Sequence, residues 1–419
     1  MRPHRRHLPW RDPGGAAGPA GRYRRNRAAD GRGHGYASRR SGWRPEWCQE
    51  WRPGDEQLMA ITAVMGYRIE RRSTRSPFAW ALALVLAGAC ALLVCAGLFI
   101  AAGADPWQAF AALLKGGLGS KRAIAETMVK ATPLILTGLA CTIAFRARLW
   151  NIGAEGQVFA GAMFAYWCQS ALGDAPAPVQ IAMIVIGALI GGALLGGLAG
   201  ILKARFQVDE VISTVMLNYI IVYALSLLLQ NGPWTEAGSF FEQTAMVPDA
   251  AQLPVILAKT RLHLGFLFAL VAAAVVHVML LRSSLGYEIR AAGSNLRALE
   301  FQGVKITRLI IVVMAISGAV AGLAGAFEVY GVQHRLKSGT LGGLGYTGII
   351  IAILGQLRPI GVVAAALVFG VLLNGATLMQ IKSGVPSALI YAVEAIILMF
   401  FLIAWAASEF RLRRLHHVE

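Results

Sequence analysis

Charge is what this chain has least of. Of 419 residues only 15% are Asp, Glu, Lys or Arg, against 56% hydrophobic, and acids are scarcer than bases, 22 against 39. A soluble core of this size could not hide so many long apolar runs, several of them near the ~20 residues that cross a hydrocarbon layer, so the shortage of charge points to a polytopic helical membrane protein. Catalytic signatures are lacking too. The chain has no GxxxxGK[ST] phosphate loop, no HExxH, no GxSxG and no Cys/His cluster at ligand spacing, so neither catalysis nor metal binding by this subunit is expected. The five cysteines, Cys48, Cys90, Cys95, Cys141 and Cys168, include no CxxC pair and read as small buried apolar residues rather than as a disulfide framework.

The net charge of +17 suggests nucleic acid only until its distribution is considered. Residues 1–57 hold 13 Arg and 6 acids, so +7 lies in this head and +10 in the remainder, mostly in short loops, where the positive-inside rule accounts for it. No nucleic-acid partner is expected. Segments such as GRYRRNR and GRGHGYASRRSGWRP have no apolar periodicity, so residues 1–64 are expected to be a disordered basic head. The head lacks a signal-peptide h-region, and Met59 or Met65 is the expected start of translation.

Beyond the head, residues 65–419 read as an all-α transmembrane domain. Apolar segments at 78–101, 127–145, 156–172, 179–202, 212–230, 264–281, 309–330, 346–357, 359–379 and 387–407 predict about ten transmembrane helices, the eighth short enough to be a half-helix. Basic residues at alternate loops (Arg146 and Arg148, Lys203 and Arg205, Arg282 to Arg308, Arg358, Arg411 to Arg414) place both termini in the cytoplasm. Loops 231–263 and 331–345 then face outward. In the fourth segment Gly187, Gly191, Gly192, Gly196, Gly197 and Gly200 recur at four-residue spacing, and SGAVAGLAGAF in the seventh is similarly small, which predicts close helix packing.

Polar groups inside such a chain need a reason, since an ionisable side chain at a span centre costs on the order of 2.5–3.5 kcal/mol. LWNIGAEGQ, Leu149 to Gln157, is the densest case. The reading places it at the cytoplasmic turn where the third segment starts, with Glu155 favoured by a helix N-terminus and Asn151, Glu155 and Gln157 serving packing or a pathway lining. Asn218 and Tyr219 lie within the fifth segment and fit an interhelical hydrogen bond or a pathway. Glu328 and Glu394 leave open a proton-coupled mechanism. The loop 282–308 is too long for a turn, and it predicts a short helix from about Leu296 to Gln302, capped at Ser294 or Asn295 and stopped at Gly303.

Four stretches together resemble a known family. NIGAEGQ (151–157), DEVISTVMLNYI (209–220), GYEIRAAGSN with FQGV (286–304) and GLGYTGIIIAILGQLRPIGVVAAALVFGVL (343–372) are similar to the membrane permeases of bacterial ATP-binding cassette importers for nucleosides, simple sugars or branched-chain amino acids. The resemblance runs from about Met65 to Val418. It implies a type II importer-like fold in the bacterial inner membrane, with an ATPase subunit that carries ATP and Mg, a second and shorter permease, and a periplasmic or lipid-anchored solute-binding protein. It further implies that the segment with Arg290, Gly293, Asn295 and Gly303 seats in the ATPase. Leu296 stands where the family commonly has Pro, and Asp209 where Asn is more usual. Nucleosides or nucleobases are the expected solute, with a sugar or branched-chain amino acid importer, or a proton-coupled transporter, as alternatives.

Overall fold

A computed structural model describes residues 67–71 and 77–414 apart from 174, 231, 237, 385 and 386. The basic head therefore lies outside the described residues. The helices are α1 (Pro77–Ala101), α2 (Pro106–Leu118), α3 (Lys121–Arg146), α4 (Ala154–Ser170), α5 (Ala177–Phe206), α6 (Glu210–Leu229) and α7 (Gly265–Arg282), followed by α8 (Ser284–Ser294), α9 (Leu296–Phe301), α10 (Ile306–Glu328), α11 (Leu344–Leu354), α12 (Pro359–Ser383) and α13 (Ser387–Glu409). Two short strands, β1 (Tyr67–Arg71) and β2 (Phe410–Arg414), pair antiparallel, with Tyr67 opposite Arg414. The approach to α1 and the exit from α13 therefore lie side by side.

Each of the ten apolar segments overlaps one helix, some running up to three residues past its ends. Length and apolarity qualify six of the described helices as spans, or seven if α1 and α2, bent by 118° at their junction, form one broken span. The α2 helix was not anticipated. Its sequence is short and carries Lys115, but Asp105 caps it by accepting from the Trp107 N–H at 2.9 Å, and Pro106 suits its first turn. Asn374 of α12 then ties it down, donating to the carbonyls of Gly116 and Ala123, both at 2.9 Å.

The centre of the bundle is built on small residues. Helices α5 and α10 run antiparallel and touch backbone to backbone: a methyl group on Gly192 would sit 2.0 Å from the Gly318 carbonyl oxygen, and one on Gly196 would sit 2.3 Å from that of Met314. Dispersion between closely apposed backbones replaces the hydrophobic effect here, because lipid tails are as apolar as the helices themselves. Helix α3 is wrapped by neighbours and is the most buried span. Of the cysteines, Cys95 and Cys141 are buried, whereas Cys90 is exposed on α1 and departs from the reading of a buried residue.

The C-terminal ends of α3, α5 and α7 and the start of α12 carry the basic residues. Arg146 Nε donates to the Leu357 carbonyl at 2.8 Å, bringing the end of α3 against the turn between α11 and α12. We call this the basic end. The loop 282–308 lies here as two helices rather than one. Ser283 caps α8, an unforeseen amphipathic element, and Asn295 caps α9, with Gly303 at φ +84° where the chain leaves it.

Candidate functional site

The LWNIGAEGQ stretch begins where α3 ends. Arg148 adopts a left-handed conformation (φ +57°), the Leu149 N–H returns to the Ala144 carbonyl, and Trp150 packs on Phe145 with ring centroids 5.0 Å apart. The chain thus folds back along α3. This corrects the sequence reading, which left the motif at a turn on the basic end: Asn151 Nδ2 donates to Ser317 Oγ at 2.8 Å, and Ser317 lies half-way along α10. Ser317 in turn donates to the Ala140 carbonyl at 2.7 Å. Irregular backbone at such depth is tolerated only when protein surrounds it, and Asn151 has no solvent exposure.

Asn151 and Gln157 pair reciprocally, each amide nitrogen donating to the other's oxygen at 2.9 and 3.1 Å. Asn218 of α6 accepts from the Gly156 N–H at 2.8 Å and donates to the Ile152 carbonyl at 3.1 Å. Both amide side chains and the freed backbone are thereby satisfied, as a buried polar cluster must be to avoid a desolvation cost of about 1–3 kcal/mol per orphaned group.

Glu155 does something the sequence reading did not foresee. Its carboxylate serves the start of another helix rather than that of α4: Oε1 accepts from the Gly343 N–H, and Oε2 accepts from the Gly345 N–H at 2.7 Å. Gly343 has φ +90°, a conformation costly for any residue with a Cβ, and a methyl on Gly345 would fall 2.2 Å from the Glu155 nitrogen. Helix α11 is therefore a half-helix of 11 residues that starts inside the bundle with an anion at its N-terminus and ends beside Arg146. Thr244 and Leu336 exchange hydrogen bonds, so loops 231–263 and 331–345 meet, whereas Gly343, near the end of the second, reaches the interior.

Thus the structure brings Asn151, Glu155, Gln157 and Asn218 together. Tyr219 stands apart, 53% exposed on α6, and Tyr346, 42% exposed, takes its place with a hydroxyl 3.4 Å from Asn218 Nδ2. Ser317, Gly343, Gly345 and Tyr346 were missed. Only the small-residue run around Ser317 and the glycine-rich GGLGY marked them. Glu328 is buried and accepts from Gln333 at 3.0 Å, while the Glu394 side chain lies outside the described residues.

At the basic end, Asn295 Oδ1 accepts from the Ala298 N–H at 3.1 Å. Leu296 occupies the first helical position after this cap, where Pro would also fit, so the departure at this position leaves the local geometry intact. Asp209 similarly caps α6 through Val211 and Ile212, as Asn could. A methyl on Gly293 would lie 2.1 Å from the Arg146 carbonyl oxygen, so α8 presses directly on the end of α3.

A broken helix whose N-terminus meets a carboxylate at mid-bundle, together with a stiff helical loop against the end of a central span, is transporter architecture. Comparison with known proteins decides which kind. The model for the branched-chain amino acid transport system permease component matches residues 123–402. The chain belongs to this family of ABC-transporter permeases. Its relatives include the guanosine ABC transporter permease protein NupP of Bacillus subtilis, 38% identical over 78% of this chain and 92% of the relative. The glucose ABC transporter permease protein TsgB13 of Haloferax volcanii is 32% identical over 78% of the chain and 87% of its own length. The nucleoside ABC transporter permease protein NupB of Lactococcus lactis is 32% identical over 72% and 85%. No solved structure matches significantly. As a permease of this family the chain is a multi-pass membrane transport subunit.

Proposed function

We propose that this permease moves nucleosides or nucleobases inward across a bacterial inner membrane, with both termini cytoplasmic and hydrolysis of ATP on a partner ATPase. The observation that carries this reading is the 38% identity to a guanosine permease over nearly the whole membrane domain. The glucose permease relative keeps a sugar as the second reading. A solute-binding protein, and a second permease of a different and shorter kind, complete the assembly.

In this scheme Arg290, Gly293, Asn295 and Gly303 form the coupling surface. The ATPase engages α8 and α9, and closure of the nucleotide-bound ATPase is transmitted through the contact of Gly293 with the end of α3. Asn151, Glu155 and Gln157, whose polar atoms are engaged within the protein, hold the moving parts in register. Asn218, Tyr219 and the added Tyr346 are the groups offered toward the solute path.

The test is uptake in reconstituted vesicles. With the co-purified subunits and ATP inside, labelled guanosine should accumulate, whereas glucose should not. Replacing Arg290 and Asn295 with Ala should leave insertion intact and reduce ATP-driven uptake roughly tenfold or more, as loss of a charge-assisted contact and a helix cap implies. Accumulation driven by a pH gradient through this chain alone would overturn the scheme.

A further inference from the structure

At the basic end, α7, α12 and the turn before α12 enclose a cavity of about 750 Å³ whose wall is almost wholly apolar. Leu281, Ile360 and Val368 on its flanks are exposed, so it opens sideways between two spans. Its polar edge is one-sided in charge. Arg146 and Arg358 line it together with His277, and Arg290 lies close enough to Arg146 for the two guanidinium groups to repel.

Among the described residues these arginines form no ion pair. The ion pairs among the described residues join Lys203 to Glu210, Arg261 to Glu126 and Arg335 to Glu236, and none involves the cluster. Arg146 spends its Nε on the Leu357 carbonyl, and Nη1 of Arg290 is buried without a hydrogen-bond partner. Three cations at close range in a partly desolvated place repel one another unless an anion joins them.

We propose that this cavity binds an anionic phospholipid of the surrounding bilayer, one acyl chain lying between α7 and α12 and the phosphate held by Arg146 and Arg358. Both halves of the site match such an amphiphile: an apolar slot open between two apolar helices, and a guanidinium cluster without an acidic partner among the described residues, where one span ends at Arg146 and another starts at Arg358. A free phosphate would satisfy the arginines but not the slot. A neutral lipid would fill the slot but not the charge. The inference requires only that the chain is a membrane protein and is independent of the solute it carries.

The experiment uses the full chain, purified with its co-purifying subunits, reconstituted in nanodiscs holding equal phosphatidylglycerol and phosphatidylcholine, then released for native mass spectrometry. Phosphatidylglycerol should remain bound in preference to phosphatidylcholine, roughly tenfold if the site supplies one charge-assisted pair's worth of selectivity. Arg358→Gln, at an exposed position, should reduce that preference while the slot survives. Ala364→Trp, on the cavity wall, should reduce retention of both lipids while the charges survive. A monodisperse elution profile checks that each variant is folded. Equal retention of the two lipids, displacement by inorganic phosphate alone, no effect of Arg358→Gln, or loss of the lipid whenever the co-purifying subunits are attached would each overturn the proposal.

Discussion

Glu155 shows how one side chain can hold a broken element in place. Its two oxygens take two backbone N–H groups that a helix start would otherwise leave unpaired within the bundle. Glu155→Gln keeps the shape but leaves one N–H facing an amide donor, so a loss of about 1–3 kcal/mol is expected, read as a lower unfolding midpoint in detergent. His263 makes a second residue-scale case, in the loop before α7. It is buried, its Nδ1 accepts from the Gly265 N–H at 3.1 Å, and burial, helped by the charge of His334, pushes its pKa down to about 4. The folded state thus binds its proton less readily than the unfolded chain, whose His titrates near 6.5. The stability from neutral His263 is fully present above pH 6.5 and is lost progressively as pH falls toward 4, by about 3 kcal/mol at most. His263→Asn, which retains an acceptor near that N–H, should flatten unfolding curves measured between pH 7 and 4.

At the scale of elements, the helix-packing glycines are sharply position-dependent. Gly192→Ala places a methyl into the Gly318 backbone, where no flexible side chain can yield, so a large loss of folded protein is expected. Gly97→Ala on α1 meets nothing within 4 Å and should be neutral or slightly stabilising by helix propensity; a fluorescence-detected elution profile separates the two outcomes. Long apolar periodic segments were legible in the sequence because a span must be written in consecutive residues. Elements that earn their place through distant partners were not. Helix α2 depends on Asn374, more than 250 positions away, and the depth of Asn151 depends on Ser317, 166 positions away. Nor does any local signal say that residues 147–153 turn inward, since basic residues mark which end a loop leaves but not how far it returns.

For the whole molecule, two places stand out: a polar centre binding α3, α4, α6, α10 and α11, and the helical loop 282–308 pressed on α3, for which we propose the coupling role. The NIGAEGQ motif was recognisable as a family signature before its work was visible. Its partners, Ser317, Gly343 and Gly345, became evident only when the chain closed on itself. If α8 drives α3, then Gly293→Val, which would crowd the Arg146 carbonyl, should uncouple the assembly: the co-purified ATPase should keep turning over while solute uptake falls several-fold, a divergence that parallel hydrolysis and uptake assays would register.

The contact between α5 and α10 has a further consequence. Two helices whose Cα atoms and carbonyls mesh tooth to tooth cannot slide by a fraction of a residue without collision, so the pair behaves as a single plate. Conformational freedom must then be sought at the discontinuities, around Arg148 and Gly343, where the backbone is already out of helical register. Spin labels fixed across α5 and α10 should report one narrow distance distribution with or without nucleotide, while labels spanning α6 and α11, which meet through the 3.4 Å contact of Asn218 with Tyr346, should broaden or shift. The stiffest seam in the bundle would then be the frame against which its hinges are measured.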